Sequence, residues 1–210
     1  MKIITISREF GSGGRELGKR LADILTFDYY DKEIIGAVAA NKGLDQDYTA
    51  SILERPTWKT VPLHFRRSFS GVNAIQSKQM VQTSLLLEQK RVIEAIAQAG
   101  RDCVIVGRNA DVLLKKYHPF CIFVCAGMDA KIQRCIKRAE SNENLTHQEI
   151  RRKIRDIDKG RRQTRDIIAG GRWGECGSYH LTVNTTEWEI KTLALAVADF
   201  AERWFERREQ

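Results

Sequence analysis

The opening segment MKIITISREFGSGGREL sets three glycines, Gly11, Gly13 and Gly14, between a β-branched apolar run and an amphipathic one. Glycine at that density suits neither a strand nor a helix interior, so the chain must turn there, from a buried strand into a helix. Such a turn either supplies tight curvature alone or serves a second purpose. The backbone N–H groups of Gly11, Ser12, Gly13 and Gly14 can point inward together, forming a nest for an anion with the positive end of the helix behind it. The second purpose requires cationic side chains from elsewhere in the chain to meet the same anion.

Compared with the phosphate-loop pattern G-x-x-x-x-G-K-[ST], Glu9 stands at the first glycine, Arg15 at the lysine and Glu16 at the hydroxyl residue. Arg15 keeps the positive charge and adds a bidentate fork. Glu16 beside a chain of phosphates would repel them unless a cation lay between, so it either helps to hold Mg2+ or faces away. Gly11, Ser12, Gly13, Gly14, Arg15 and Glu16 are therefore the candidate phosphate-binding residues.

The rest of the chain repeats the strand-then-helix alternation. Short, nearly continuous apolar runs at Lys2–Ser7, Cys103–Val106, Phe120–Cys125 and His180–Val183 read as strands covered on both faces. FDYYDKEII reads as a further short strand running into a helix. Leu17, Leu21, Ile24 and Leu25 mark one helical stripe, Ile93, Ile96 and Ala97 a second, closed by Gly100. Ile190, Leu193, Ala194, Val197, Ala201, Trp204 and Phe205 mark the last, with Thr186 and Glu189 as a capping box at its start. The expected fold is α/β, a three-layer parallel sheet flanked by helices. The expected organisation is one domain over 1–210, with a helical insertion at 36–100 and a basic, polar region at 137–175. Trp58, Phe65 and Phe69 fall within the insertion and read as packing residues.

The net charge of +8 calls for anionic partners, and the placement of arginine decides which kind. No apolar run approaches the roughly 20 residues that cross a bilayer. Residues 1–6 lack the basic region and cleavage pattern of a signal peptide, so a cytoplasmic protein is expected. The odd cysteine count with no C-x-x-C spacing, and histidines without a ligand pair, support neither disulfides nor zinc.

Arginine recurs at strand ends and on two helices. VGRN sets Arg108 just past a buried strand, at the carboxyl edge where open α/β sheets bind ligands. In MDAKIQRCIKRAE, Lys131, Arg134 and Arg138 line one helix edge. In LTHQEIRRKIRDIDKGRRQTRDIIAGG, Thr146 and Glu149 cap a helix whose buried stripe runs through Ile150, Ile154, Ile157 and Ile168. Arg161 falls on that stripe with Arg165 beside it, and a cation on an apolar face needs a buried partner or an anion. Asp158 or Asp166 is the local partner. The other reading makes Lys159, Arg161, Arg162 and Arg165 a clamp closing over phosphates, with Arg15, Arg161, Arg162 and Arg165 as the candidate catalytic cations. Asp31 is either the N-cap of its helix or a group that meets an acceptor.

The order GSGGR, YYDKE, VGRN, IFVCAG with a basic helix after it, DKGRRQTR and YHLTVNT resembles the cytidylate-kinase-like branch of the P-loop nucleoside monophosphate kinases. The resemblance covers about 1–35 and 103–190 and is poor over 36–100. It implies a five-stranded parallel sheet of the P-loop NTPase kind, an acceptor-binding insertion at 36–100 and a mobile arginine-rich lid at 137–175. It also implies transfer of the γ-phosphoryl of ATP, with Mg2+, to an acceptor such as CMP or dCMP. By position it makes Asp31, Arg108 and Asn109 acceptor-binding residues, Arg134, Lys159 and Arg161 basic lid residues, and Asn184 and Thr185 neighbours of the adenine ring. The resemblance implies small-molecule nucleotides as partners. Basic segments at strand ends and on a lid-like helix, rather than spread over a face with interleaved aromatics, speak against nucleic acid, and the lack of a long apolar run against a membrane. Departures at Arg15 and Glu16 make a nucleotide-binding regulator without catalysis, or a kinase of another small acceptor, the alternatives.

Overall fold

Alternation within the strands divides the core in two. In β1 (Ile3–Arg8), Ile4 and Ile6 face one side of the sheet and Ile3 the other. In β3 (Cys103–Val106), Val104 and Val106 join the first side, and Cys103 and Ile105 the second. A strand with apolar groups on both faces must be covered twice, which forces helices onto both sides. α1 (Gly14–Leu25) and α8 (Ile190–Glu209) cover the first face through Leu17, Leu21, Ala194, Val197 and Phe205. On the second face lie α2 (Lys32–Lys42), α3 (Gln46–Glu54), α4 (Phe69–Gln98) and α5 (Ala110–Leu113), which contribute Ile34, Val38, Leu53, Leu85 and Ile93.

With β2 (Asp28–Tyr30), β4 (Phe120–Cys125) and β5 (Leu181–Asn184), the sheet is five-stranded and all its pairs are parallel, in the order β2-β3-β1-β4-β5. β1 is central, so its carboxyl end opens where chain connections diverge to both sides, the usual ligand edge of such sheets. α6 (Met128–Arg138) and α7 (His147–Ala169) stand beside that edge and share a small core of Ile132, Ile150 and Ile154, against which Phe10 packs. The computed structural model describes residues 1–54, 69–138 and 145–209, with side chains placed for 1–53, 80–138 and 145–208. Trp58, Phe65 and the side chain of Phe69 lie outside the described residues.

Two local expectations change. The capping box at Thr146 and Glu149 is complete, with both reciprocal bonds formed. The one at Thr186 and Glu189 is not: α8 starts at Ile190, and the Thr186 hydroxyl instead donates to Asn184 Oδ1 and accepts the Gly127 N–H. The expected first strand also ends one residue late, because Arg8 continues the ladder opposite Val124. Among the described residues no helix is long and apolar enough to cross a membrane.

Candidate active site

Between β1 and α1 the chain turns through two left-handed glycines, Gly11 at φ 77° and Gly13 at φ 84°. At Gly13 a side chain would also collide, since its Cβ would lie 2.6 Å from Ile190 Cδ1. The first bond inside α1 runs from the Leu17 N–H to Gly13 O, so the amides of Gly14, Arg15 and Glu16 precede the helical ladder and are open to an anion. Within the turn, Ser12 bonds back on Glu9 O through both its amide (3.4 Å) and its hydroxyl (2.8 Å). Neighbouring elements hold the turn from outside. Asp158 of α7 accepts the Phe10 N–H at 2.7 Å, and Glu9 accepts from Lys131 of α6 at 2.9 Å and from the Ala126 N–H at 3.2 Å.

Behind this turn lies a knot of guanidiniums centred on Arg8. Its side chain is only 10% exposed, and its Nη2 reaches Asp31 Oδ1 at 3.5 Å. Asp31 is shared, because Arg15 Nε approaches its other oxygen at 2.5 Å. Burial pushes the Arg8 guanidinium down to about 9, and Arg161, Arg108 and Arg15 push in the same direction against the opposing pull of Asp31. A cation so placed gains greatly from an added anion. Gly107 makes room for it: at φ 78° it lies under the Arg8 fork, and a Cβ there would sit 1.5 Å from Nη1. Gly107, Arg108 and Asn109 are all left-handed, at φ 78°, 61° and 54°, a conformation free for the glycine but strained for Arg108 and Asn109, and such strain clusters at ligand sites.

Two cavities meet at this knot. The larger, about 650 Å3, lies in front of the glycine turn and is lined by Phe10, Gly13, Arg15, Arg138, Ile150 and Lys153. The smaller, about 60 Å3, lies under Arg108 and Asn109, with Leu53, Gln89, Ile157 and Trp173 around it. Arg8 and Arg161 are the described residues that line both. Arg161 holds its position by donating to Arg8 O at 2.9 Å and to Asp158 at 3.3 Å.

A strand, an open amide turn and a convergent set of arginines at the carboxyl edge of a parallel sheet are the elements of a phosphate-handling site. The profile of the cytidylate kinase-like family matches residues 3–187. The chain belongs to that family. No curated protein matches the sequence. Among solved structures it is similar to an uncharacterized protein from Eubacterium ventriosum, with TM-score 0.68 at 20% identity over 96% of this chain and 99% of that one. It is also similar to shikimate kinase from Bacteroides thetaiotaomicron, with TM-score 0.55 at 11% identity over 96% of this chain and 98% of that one. A third is shikimate kinase from Acinetobacter baumannii in complex with shikimate, with TM-score 0.50 at 13% identity over 95% and 92%. At these identities the likeness shows a shared fold.

Within this cytidylate kinase-like chain, the expected site residues separate into two groups. Gly11, Gly13, Gly14, Arg15, Arg108, Asn109 and Arg161 line the two cavities. Asp31 stands beside them and does not cap α2, since its side chain is given to Arg8 and Arg15. The others are engaged elsewhere. Arg165 is buried in a pair with Asp111, its Nη1 lying 2.8 and 2.7 Å from the two carboxylate oxygens, which removes it from the expected catalytic set. Arg162 lies over the Trp173 ring at 5.5 Å, and Lys159 is exposed on the outer side of α7. Arg134 donates to the carbonyls of Thr185 and Trp188, so it braces the loop after β5 while still lining the larger cavity. Thr185 is fully buried and donates to Ser12 O at 2.6 Å, which leaves it no adenine-facing surface; Asn184 accepts from Thr186.

The metal role expected of Glu16 does not fit this arrangement. Its carboxylate bonds Arg20 at 3.0 Å and Arg138 at 2.5 Å. Asp31, Glu9 and Asp158 are likewise held by cations or amides, and no group of three potential ligands stands together among the described residues. Mg2+ is ordinarily held by one or two protein oxygens together with substrate phosphates, so a nucleotide would bring most of its ligands.

The sequence reading missed Arg8, Lys131 as a buried tether, and Asp158 as the contact between α7 and the turn. Only Arg8 carried a signal, being a charge directly between an apolar strand and a glycine turn.

Proposed function

We propose that this cytidylate kinase-like protein transfers the γ-phosphoryl group of ATP to a phosphate-bearing acceptor, a nucleoside monophosphate of the CMP or dCMP kind. The observation that carries this reading is the meeting of two basic cavities at a shared wall of Arg8 and Arg161. A donor in the larger cavity lays its phosphates against the open amides at the start of α1, where the helix end favours negative charge. An acceptor phosphate in the smaller one meets Arg108. An acceptor phosphate oxygen attacks the γ-phosphorus. The new P–O bond forms as the bond to the β–γ bridging oxygen breaks, and that electron pair leaves with ADP. A dianionic phosphate has no proton to lose, so the step requires alignment and neutralised charge rather than a base. Arg161, positioned between the two cavities, supplies charge that is worth on the order of 10³–10⁵ in rate for a well-placed arginine. α7, held against the turn, excludes water from the transferring group.

A coupled ADP-release assay with ATP and a panel of acceptors tests the reading. Release is expected with CMP or dCMP, and Arg161→Ala should lower turnover by at least about tenfold with the circular dichroism spectrum unchanged. Tight ATP binding without ADP release for any acceptor would overturn catalysis in favour of a nucleotide-binding regulator.

A second reading rests on the size of the smaller cavity. About 60 Å3 holds a phosphoryl-sized group, far below the roughly 300–1,000 Å3 that encloses a whole small molecule. That favours a compact anionic acceptor unless α3 and α7 separate on binding. Release with small phosphorylated or carboxylated acceptors, and none with nucleoside monophosphates, would decide for it.

A further inference from the structure

We infer that Arg8, at the end of β1, does the work that the phosphate-loop lysine does elsewhere: its fork contacts the phosphoryl group in transit between donor and acceptor. The inference rests on the kinase reading above and assigns one residue within it.

Three observations lead there. Arg15, which holds the lysine's place in the sequence, lines the larger cavity but not the smaller, with Nε on Asp31 at 2.5 Å and a side chain half exposed. Arg8 is instead buried where the two cavities meet, and among the described residues it shares that position with Arg161 alone. Whatever passes from one cavity to the other passes these two forks. Finally, the surroundings of Arg8 are built for a third party. Gly107 leaves space for the guanidinium through its left-handed backbone, and among the described residues the single carboxylate acting on Arg8, Asp31, is shared with Arg15. A cation buried only for stability would have a carboxylate of its own, as Arg165 has in Asp111. Arg8 lacks one and sits among other guanidiniums, so its missing counter-charge is an incoming oxyanion. A planar fork suits the three equatorial oxygens of a phosphoryl group in flight better than a point charge does.

The test uses ADP, and ADP with beryllium fluoride, as probes in Mg2+ buffer, measured by isothermal titration on the full chain. Beryllium fluoride mimics the phosphoryl group without turnover. Wild type should bind ADP more tightly when the fluoride is present, by on the order of 10²-fold, the scale of a hydrogen bond to a charged group. Arg8→Met should still bind ADP and lose that gain, Arg8→Lys should keep part of it, and Arg15→Met should lose less than Arg8→Met. Because Arg8→Met removes a buried cation, its melting temperature should not fall. A fluoride gain that survives in Arg8→Met, a gain lost more in Arg15→Met, or no gain in wild type would each overturn the assignment while leaving the kinase reading standing. Loss of ADP affinity together with a lowered melting temperature in Arg8→Met would overturn it too, by making the residue structural. Should Arg8→Met fail to fold, an undiminished gain in Arg8→Lys overturns it. If wild type binds no ADP, the kinase reading falls and this assignment with it.

Discussion

Arg161 and Arg165 show how little a residue's type says about its task. They sit one turn apart on α7 and face the same side of the helix. Arg165 is closed in a buried pair with Asp111, both side chains at most 5% exposed, whereas Arg161 borders two cavities. The two therefore respond differently to substitution. Asp111→Ala strands the buried cation of Arg165, and breaking such a pair costs about 3–5 kcal/mol, readable as a lower urea midpoint. Replacing both partners with Leu and Met should recover most of that loss, because well-packed apolar groups substitute for a buried pair. Helical spacing identifies both arginines as needing partners, yet it cannot say which partner is 54 positions away.

At the level of elements, α7 is both a helix and a tether. Its capping box fixes the start at His147, and Gly160 lies within a continuous helix despite the low helix propensity of glycine. One turn of α7 supplies two of the contacts that hold it to the glycine turn: Asp158 accepts the Phe10 N–H, and Arg161 donates to Arg8 O. Burial pushes the Asp158 carboxyl upward, while the Phe10 amide, Arg161 and Lys131 oppose that shift. Asp158→Ala removes the shared acceptor and should loosen α7 from the turn. Bonds to charged groups are worth about 1.5–3 kcal/mol, so amide exchange in α7 should accelerate by roughly ten- to a hundredfold while the central strands keep their protection. Equal acceleration throughout the sheet would show Asp158 acting on global stability and not on this contact.

For the whole molecule, the net charge of +8 includes a cluster at the carboxyl edge of the sheet, where Arg161, Arg108 and Arg15 all act on Arg8. A bound polyanion should therefore stabilise the fold strongly. At 100 times its dissociation constant ATP should add about 2.7 kcal/mol, a rise in melting temperature of roughly 5–11 °C for a chain of this size, and the rise should shrink as salt is added. A melting temperature indifferent to ATP and to salt would contradict a nucleotide site. The strands, their parallel arrangement, the glycine turn and the capped α7 were legible in the sequence through apolar period, strand–helix alternation, glycine conformation and local capping, whereas the strand order β2-β3-β1-β4-β5 came only with the structure. Arg15, Arg108 and Arg161 were also legible as residues of the candidate site, but the pairings that sort the remaining charges were not. Arg8 rather than Arg15 takes its centre, Arg165 and Arg134 turn to Asp111 and Thr185, and Glu16 turns to Arg138. The physical reason is that a buried charge goes wherever folding brings a counter-charge or acceptor within about 3 Å, and such pairings, many of them between residues distant in the chain, exist only after the sheet has closed.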